Sequence, residues 1–413
     1  MPTASHAVPL SFAITASPGP ASGARDPEGN DALETLARDG VNQIRLPRIR
    51  HEELEGRSPG NGPLPETIKE VDDQLERARR VTEATGEPMY VAVNPGDLTA
   101  PERDSAHARW LDYVIERYKH HPALGVWKFY DEPNNPYNPY EKVVRVREGL
   151  RRAHARVHEL DGRHLTWITQ APKPKDRITE RFLSTYLDAC DIHAVDVYPV
   201  SDPPGRHSDL PNKLPSCVGD YADRFASTAR AASRPDAPKW VWMVLQGAAW
   251  SGVIPRDEKR RPQGPMLMQP PAHMFRYMTY QSIIHGAEGI VIFGMGYGLH
   301  PDMAPHGWDW GYWRNAVVPT IKELHSGDLH AALAVRQSER AVRHSLGERG
   351  VRIDTLTVAA PGGERFLLAS RGERKRGEPR EAEVEIPAHG PRGAETIKDR
   401  FAPHDVRVYA LGR

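Results

Sequence analysis

Short apolar runs alternate with helical patterns over roughly the first 330 residues of the chain. Each run is rich in β-branched and aromatic side chains and predicts a strand, whereas the segments between runs repeat apolar residues every three or four positions, as amphipathic helices do. Eight strands are predicted, over residues 9–14, 41–47, 89–93, 125–130, 165–169, 192–198, 239–245 and 289–293. The predicted helices include residues 31–38, 140–160, 181–189, 221–232 and 274–285, with a closing helix near residues 313–324.

Eight rounds of strand and helix predict an α/β fold, a (β/α)8 TIM barrel. A doubly wound open sheet is the alternative. The Gly-x-Gly-x-x-Gly turn that dinucleotide-binding open sheets carry after their first strand does not occur at that place. The barrel is therefore the favoured architecture.

Beyond about residue 335 the helical pattern gives way to alternation with a period of two. Residues 352–358, 365–369, 382–386 and 407–411 read as short strands with one apolar face, which is typical of antiparallel sheets. We expect a small C-terminal antiparallel β-sandwich domain. The predicted division is a catalytic barrel over residues 1–332 and a β-rich accessory domain over residues 333–413.

Composition excludes several classes of protein. Lys and Arg number 55, as do Asp and Glu, so the formal net charge of zero argues against nucleic-acid or anionic-membrane partners. The two cysteines exclude a disulfide scaffold and a multi-cysteine zinc module. No apolar run approaches the roughly 18 residues of a membrane span. The N-terminus shows no export signal, so a cytoplasmic location is the default expectation.

Active sites of such barrels lie at the C-terminal ends of the strands. Polar residues follow several predicted strands, and aromatic residues, including Tyr137, Trp310 and Trp313, follow in the adjoining loops. Aromatic rings stack on the C–H faces of sugars, and polar groups satisfy sugar hydroxyls, so the pattern predicts a carbohydrate substrate. The residues expected to bind it are Arg45, Asn94, Asp97, Asn134, Tyr198, Gln246, Trp250, Tyr297 and Trp308.

Glu132 is the predicted general acid. Cleavage of a glycosidic bond needs a carboxylic acid that protonates the leaving oxygen, and Glu132 lies two positions after the end of the fourth predicted strand, next to Asp131. The neighbouring charge of Asp131 is expected to raise the pKa of Glu132. The alternative interpretation is that Asp131 and Glu132 merely begin a helix, where carboxylates are common.

Two segments resemble motifs of the clan A glycoside hydrolases, nearest to family 5. Residues 40–47, Gly-x-Asn-x-x-Arg-Leu-Pro, are similar to the clan's second-strand segment, and residues 131–134, Asp-Glu-Pro-Asn, to its fourth-strand Asn-Glu-Pro motif with Asp in place of Asn. The resemblance implies Glu132 as acid/base, Arg45 as an organiser of the site and Tyr198 as an aromatic residue near the nucleophile. The Asp in place of Asn implies a different contact with the sugar.

Gln246 departs from that pattern, because the clan places its nucleophilic Glu there and an amide cannot replace it. Three consequences stay open: Asp196 acts instead, the substrate supplies its own nucleophile, or the protein binds sugars without cleaving them. Asp131 beside Glu132 also resembles the family 20 arrangement, in which Asp orients an N-acetyl group. We expect Asp196 to be essential, holding a water molecule at the spacing of an inverting pair.

Other catalytic chemistry finds little support. Nineteen histidines occur, but there is no His-Glu-x-x-His segment, and alternation places His193 and Asp196 on opposite faces of one strand. The P-loop motif is absent as well. We therefore expect neither a metal nor another cofactor. Lys128 is expected to be an inward charge that pairs with Asp131 or with Asp196.

Overall fold

A computed structural model describes residues 12–54, 58–99, 105–134, 140–172, 184–201, 208, 210–250, 269–297, 299, 301–335, 343–346, 350–375, 377–390 and 393–412. Eight parallel strands close into a barrel, and two antiparallel sheets follow it, so the predicted fold class is confirmed. No helix in this part of the chain is both long and apolar enough to span a bilayer.

The barrel contains every predicted strand, each shifted by only a few residues. The strands up to residue 293 are β1 (Ala13–Ser17), β2 (Gln43–Arg48), β3 (His51–Leu54), β4 (Ser58–Pro63), β5 (Tyr90–Asn94), β6 (Leu124–Asp131), β7 (Leu165–Gln170), β8 (Ile192–Val197), β9 (Trp240–Gln246) and β10 (Gly289–Phe293). Around the barrel the order is β1, β2, β5, β6, β7, β8, β9 and β10, and β10 pairs with β1. The hairpin of β3 and β4 was not predicted. The first strand was predicted over residues 9–14, of which 9–11 lie outside the described residues.

Helices pack around the barrel, with boundaries that local chemistry explains. They are α1 (Ala32–Arg38), α2 (Pro65–Thr85), α3 (Ser105–Tyr118), α4 (Tyr140–Leu160), α5 (Cys217–Ala232), α6 (Ala272–Ile284), α7 (Val318–Leu324) and α8 (Asp328–Ala334). Asp31 caps α1 by accepting the backbone N–H groups of Leu33 and Glu34. Gly86 ends α2 at a φ of 76°, a left-handed conformation that favours glycine.

Two predicted helices differ from the structure. The closing helix predicted near residues 313–324 is helical over its whole length, but Trp313–Val317 forms a π-helical turn that leads directly into α7. The helix predicted over residues 181–189 begins outside the described residues, and residues 185–188 form a turn.

Large side chains fill the inside of the barrel below its C-terminal mouth. The rings of Trp167 and Trp242 lie 5.2 Å apart between centroids, among smaller residues such as Ala92 and Val126. Gly289 makes room for them, since a Cβ there would lie 2.6 Å from the Trp242 ring. The interior of the barrel is thus packed with side chains, as is usual for this fold.

The C-terminal sheets form the predicted sandwich. Their strands are β11 (Arg343–Leu346), β12 (Arg352–Ala359), β13 (Arg365–Arg371), β14 (Ala382–Gly390), β15 (Gly393–Phe401) and β16 (Val406–Gly412). β11, β12, β13 and β16 form one sheet, and the hairpin of β14 and β15 covers it through Ile353, Leu367 and Val384. The opposite face of the four-stranded sheet, with Leu356 and Leu368, joins the core of the barrel. That sheet is therefore buried on both faces.

Candidate functional site

A cavity of about 250 Å³ lies at the C-terminal mouth of the barrel. Charged groups gather in it beside β2, β6 and β8, and aromatic rings surround them. The lining residues are Ser17, Arg45, Lys128, Asp131, Glu132, Trp167, Thr169, Asp196, Tyr198, Val244, Trp250, Val291 and Phe293. The cavity thus contains all three carboxyl groups that the sequence singled out for catalysis.

A break in strand register brings Asp131 and Glu132 into the cavity together. Regular alternation along β6 points Lys128 inward and Trp127 outward, where the Trp127 indole donates a 2.8 Å hydrogen bond to Asp161. Between Lys128 and Asp131 the pairing of β6 with β7 shifts register. Glu132 then takes a positive φ of 46°, which is strained for a residue with a Cβ. Consecutive side chains can therefore face the same space.

Two cations hold Asp131 in its ionised form. Its carboxylate lies 3.0 Å from the Lys128 ammonium and 3.2 Å from the Arg45 guanidinium. Burial alone would raise the pKa of Asp131, but Lys128 and Arg45 outweigh that effect and lower it to about 2. Half of the Asp131 side chain is nevertheless exposed to the cavity, so the charge is available to a ligand. Of the two partners predicted for Lys128, the structure selects Asp131 for the salt bridge.

Asp196 and Glu132 form a hydrogen-bonded carboxyl pair. The pKa of Asp196 is raised well above its usual range, first because the side chain is buried and then because Glu132 and Asp131 bring negative charge close to it. Two carboxylates in hydrogen-bond contact repel each other when both are ionised, so this contact favours a proton shared between them. Their contact is closer than the 5–5.5 Å that is typical of a retaining pair.

Aromatic side chains form one wall of the cavity. Tyr198 stacks on Phe293 with a centroid distance of 5.2 Å and an interplanar angle of 12°, and Trp250 meets Tyr198 edge-on at 5.9 Å. Tyr297, which is 39% exposed, extends the stack because its ring lies 5.4 Å from that of Phe293. This wall offers the apolar faces that sugar rings prefer.

The amide side chains predicted to bind substrate are instead bound to the backbone. Gln246 accepts from Val200 N at 3.0 Å and donates to the carbonyls of Val200 and Ala248. Asn134 makes two hydrogen bonds to the backbone of Ala171. Asn94 accepts from the backbone N–H of Gly96 at 2.8 Å. None of these three side chains lines the cavity; each hydrogen-bonds to the backbone of a loop instead.

The tryptophans after the eighth strand also lie away from the cavity. Trp308 is 1% exposed, and its ring contacts those of Trp310 and Trp313 at 6.1 and 5.6 Å, so the three form part of the core. Tyr137 lies outside the described residues. Of Asp97, only the backbone, within a 3-10 helix over Gly96–Thr99, belongs to the described part.

Several lining residues were not predicted. Trp167 and Thr169 point inward from β7, two positions apart, and Phe293 ends β10. Side chains alternate in direction along β7, so Trp167 and Thr169 could have been identified from the sequence as facing the same side of the strand. His193 packs against Phe225 of α5 at 4.5 Å, outside the barrel, while Asp196 lines the cavity, as the alternation of β8 predicted.

Solved structures share this architecture, although no family model and no curated protein matches the sequence. A glycoside hydrolase family 5 protein from Bacteroides vulgatus is 13% identical over 97% of this chain and 86% of that chain, with a TM-score of 0.52. A family 27 β-L-arabinopyranosidase from Geobacillus stearothermophilus is 10% identical over 97% and 96%, with a TM-score of 0.51. An endo-β-1,6-glucanase is 11% identical over 97% and 92%, with a TM-score of 0.52. The chain therefore has the barrel fold found in these glycoside hydrolases, and at such low identity the likeness shows the fold alone.

Proposed function

We propose that the protein is a glycoside hydrolase that cleaves an O-glycosidic bond in an oligosaccharide, polysaccharide or glycoconjugate. The observation that carries the proposal is the proton-sharing pair of Glu132 and Asp196 beside the ionised Asp131, in a cavity with an aromatic wall. Carboxyl groups whose surroundings hold them in different protonation states are what acid-assisted glycoside cleavage needs. The fold shared with glycoside hydrolases is consistent with the proposal.

The pair supplies the proton in this proposal. Glu132 is the more exposed member and presents the proton to the glycosidic oxygen, while buried Asp196 holds it in the resting state. The proton moves to the leaving oxygen as the C–O bond breaks. The water molecule that attacks the anomeric carbon then releases a proton, which returns to the pair.

Asp131 stabilises the positive charge that develops at the anomeric carbon. Its carboxylate keeps its charge because Lys128 and Arg45 contact it, and its exposed half faces the cavity. An ionised group that needs no reorganisation during the reaction is an effective electrostatic stabiliser. Tyr198, Trp250 and Phe293 hold the sugar ring beside it by stacking.

A carbohydrate-binding barrel without hydrolytic activity is the second possibility. The observation in its favour is Gln246, whose amide is bonded to three backbone groups and leaves the end of β9 without a carboxylate. In that case sugars would bind with the same aromatic wall, and no glycoside would be cleaved.

The decisive experiment combines a screen of aryl glycosides and natural glycans with one conservative variant. Glu132→Gln should lower kcat on the best substrate by about 10²–10⁴, the usual contribution of a positioned general acid, with the melting temperature nearly unchanged. Glu83→Gln, at an exposed position on α2, is the matched control and should keep full activity. NMR of the first-formed product then reports whether the anomeric configuration is retained or inverted. Unchanged turnover in Glu132→Gln would reject the acid role, and glycan binding without any turnover would favour the second possibility.

A further inference from the structure

We propose a second site in this protein, a zinc-binding site made by His154, His158 and Asp191 at the end of the barrel opposite the cavity. One ligand atom of each residue can be chosen so that all three atoms lie within 4.8 Å of one another. The site is independent of the proposed hydrolase activity, and none of its residues lines the cavity.

The two histidines lie one helical turn apart on α4, so both rings reach from the same face of the helix. Asp191 directly precedes β8, whose other end carries Asp196 in the cavity. Asp191 and Asp196 are five residue steps apart along extended chain, which separates them by about 16 Å. The cluster therefore belongs to the N-terminal end of the barrel, where the described chain has no catalytic candidate.

Two distances lie on either side of the ligand spacing in a tetrahedral zinc site. His158 Nε2 lies 2.9 Å from Asp191 Oδ2, and His154 Nε2 lies 4.0 Å from Asp191 Oδ1. In a tetrahedral zinc site with bonds near 2.0–2.2 Å, ligand atoms are about 3.4 Å apart, which falls between these two values. In the proposed site the side chains rotate so that one oxygen of Asp191 and the Nε2 atoms of both histidines face the ion. Three protein ligands leave the fourth position for a water molecule.

Thr166 orients two of the three ligands. Its hydroxyl lies 2.8 Å from His154 Nδ1, and its backbone N–H donates to Asp191 Oδ2 at 2.8 Å. A hydrogen bond on Nδ1 turns the Nε2 atom of a histidine toward a metal, which is the usual support around zinc ligands. His154 and His158 have 15% and 29% of their side chains exposed, so an ion can reach them from solvent.

Two histidine nitrogens and one carboxylate favour zinc over calcium or magnesium, because calcium and magnesium prefer six or more oxygen ligands. The charge of Lys239 lies near both histidines and opposes a cation. Its ammonium, however, is held by the backbone carbonyl of Cys190 at 2.6 Å. Asp191 supplies one negative charge, which offsets half of the charge of the ion.

Zinc binding to the full-length, metal-free protein tests the proposal by calorimetry. The wild type should bind one Zn²⁺ tightly, and both His154→Ala and His158→Ala should weaken that binding at least tenfold. His330→Ala is the matched control, because His330 and His325 stack at 4.2 Å in a second histidine pair outside the cluster. Binding should be unchanged in this control.

Cobalt replacement gives a second readout that does not depend on the stability of a variant. Co²⁺ bound to the wild type should show the intense visible absorption of a tetrahedral site, and added Zn²⁺ should remove it. Mg²⁺ in excess should leave the spectrum unchanged. The proposal would be overturned if the wild type bound no stoichiometric zinc or if the cobalt spectrum were of octahedral type. It would also be overturned if the His154→Ala and His158→Ala variants bound zinc as tightly as the wild type.

Discussion

At the scale of single residues, neighbouring charges decide which carboxyl groups of the cavity carry a proton. Asp131 and Asp196 are the same residue type, yet the pKa of Asp131 falls to about 2 and the pKa of Asp196 rises well above its usual range. The difference follows from their partners, since Asp131 contacts Lys128 and Arg45 whereas Asp196 contacts Glu132. The pKa values of these two carboxyl groups are therefore set by their surroundings and not by their residue type.

The lowered pKa of Asp131 predicts a loss of stability in acid. A carboxyl group whose pKa is lower in the folded than in the unfolded chain stabilises the fold above about pH 4, and that contribution disappears as the pH falls toward 2. Asp131→Asn should remove about 1–2 kcal/mol at pH 6, a figure reduced for the solvent that reaches Asp131. The difference between the variant and the wild type should shrink toward pH 2.

Urea unfolding at a series of pH values measures this effect. Asp73→Asn, at a half-exposed position on α2, is the control and should differ little from the wild type at any pH. A difference between Asp131→Asn and the wild type that is the same at pH 2 and pH 6 would contradict the prediction.

At the scale of elements, two amide side chains fasten neighbouring strand ends. Asn134, after β6, bonds the backbone of Ala171 after β7, and Gln246, at the end of β9, bonds Val200 after β8. Parallel strands end in loops whose backbone groups have no ladder partners, so buried amides satisfy them. We call these two side chains clamps, because their hydrogen bonds link neighbouring loops at the C-terminal mouth of the barrel.

The hydrogen bonds of Gln246 predict that a carboxylate at position 246 would destabilise the fold. Gln246→Glu would turn a carboxylate oxygen toward the carbonyls of Val200 and Ala248, where the amide now donates two hydrogen bonds. Loss of these bonds should cost about 1–3 kcal/mol of unfolding free energy, and kcat should not increase. Gln246→Met, which removes the donors without adding a charge, should be less destabilising. Thermal unfolding and turnover of the two variants test this, and a rise in kcat in Gln246→Glu would refute it.

At the scale of the whole molecule, α6 joins the barrel to the C-terminal sheets. Arg276 donates to the carbonyl of Val406 at 3.0 Å, and Gln281 hydrogen-bonds Ser370 and Asp354. His285, just after α6, contacts Asp223 of α5 and Asp354 of β12. The β-rich segment that we propose as a separate domain over residues 333–413 is thus tied to the barrel by buried polar contacts.

The raised pKa of His285 predicts how the contact between the barrel and the C-terminal sheets responds to alkaline pH. Burial alone would lower the pKa of His285, but the hydrogen bonds to Asp223 and Asp354 outweigh burial and raise it to about 9. Because the pKa of His285 is raised in the folded chain, its protonated ring stabilises the fold fully below about pH 6.5. This contribution is lost as the pH rises through 9. Gln281 and Arg352 also contact Asp354.

Melting temperatures at pH 6 and pH 10 measure that contribution. His285→Gln should cost about 1.5–3 kcal/mol at pH 6, the value of hydrogen bonds to a charged group, and much less at pH 10. His120→Gln, at an exposed position, should have little effect at either pH. An equal loss at both pH values in His285→Gln would show that the charge of His285 does not contribute.

The sequence by itself determined the barrel and its order of elements. Strand and helix periods are local properties, so apolar runs such as residues 192–198 and 239–245 located strands to within a few residues. The rule that barrel sites lie at strand ends brought Glu132, Asp131 and Asp196 onto one short list, and all three line the cavity.

Only the tertiary structure decided which contacts each of these side chains makes. The direction of a side chain beyond a strand end depends on loop conformation, so Gln246 and Asn134 could not be recognised as clamps from sequence. The positive φ of Glu132 and its contact with Asp196 depend on how β6, β7 and β8 are placed in register. Protonation states follow from distances between residues far apart in sequence, and those distances exist only in the closed barrel.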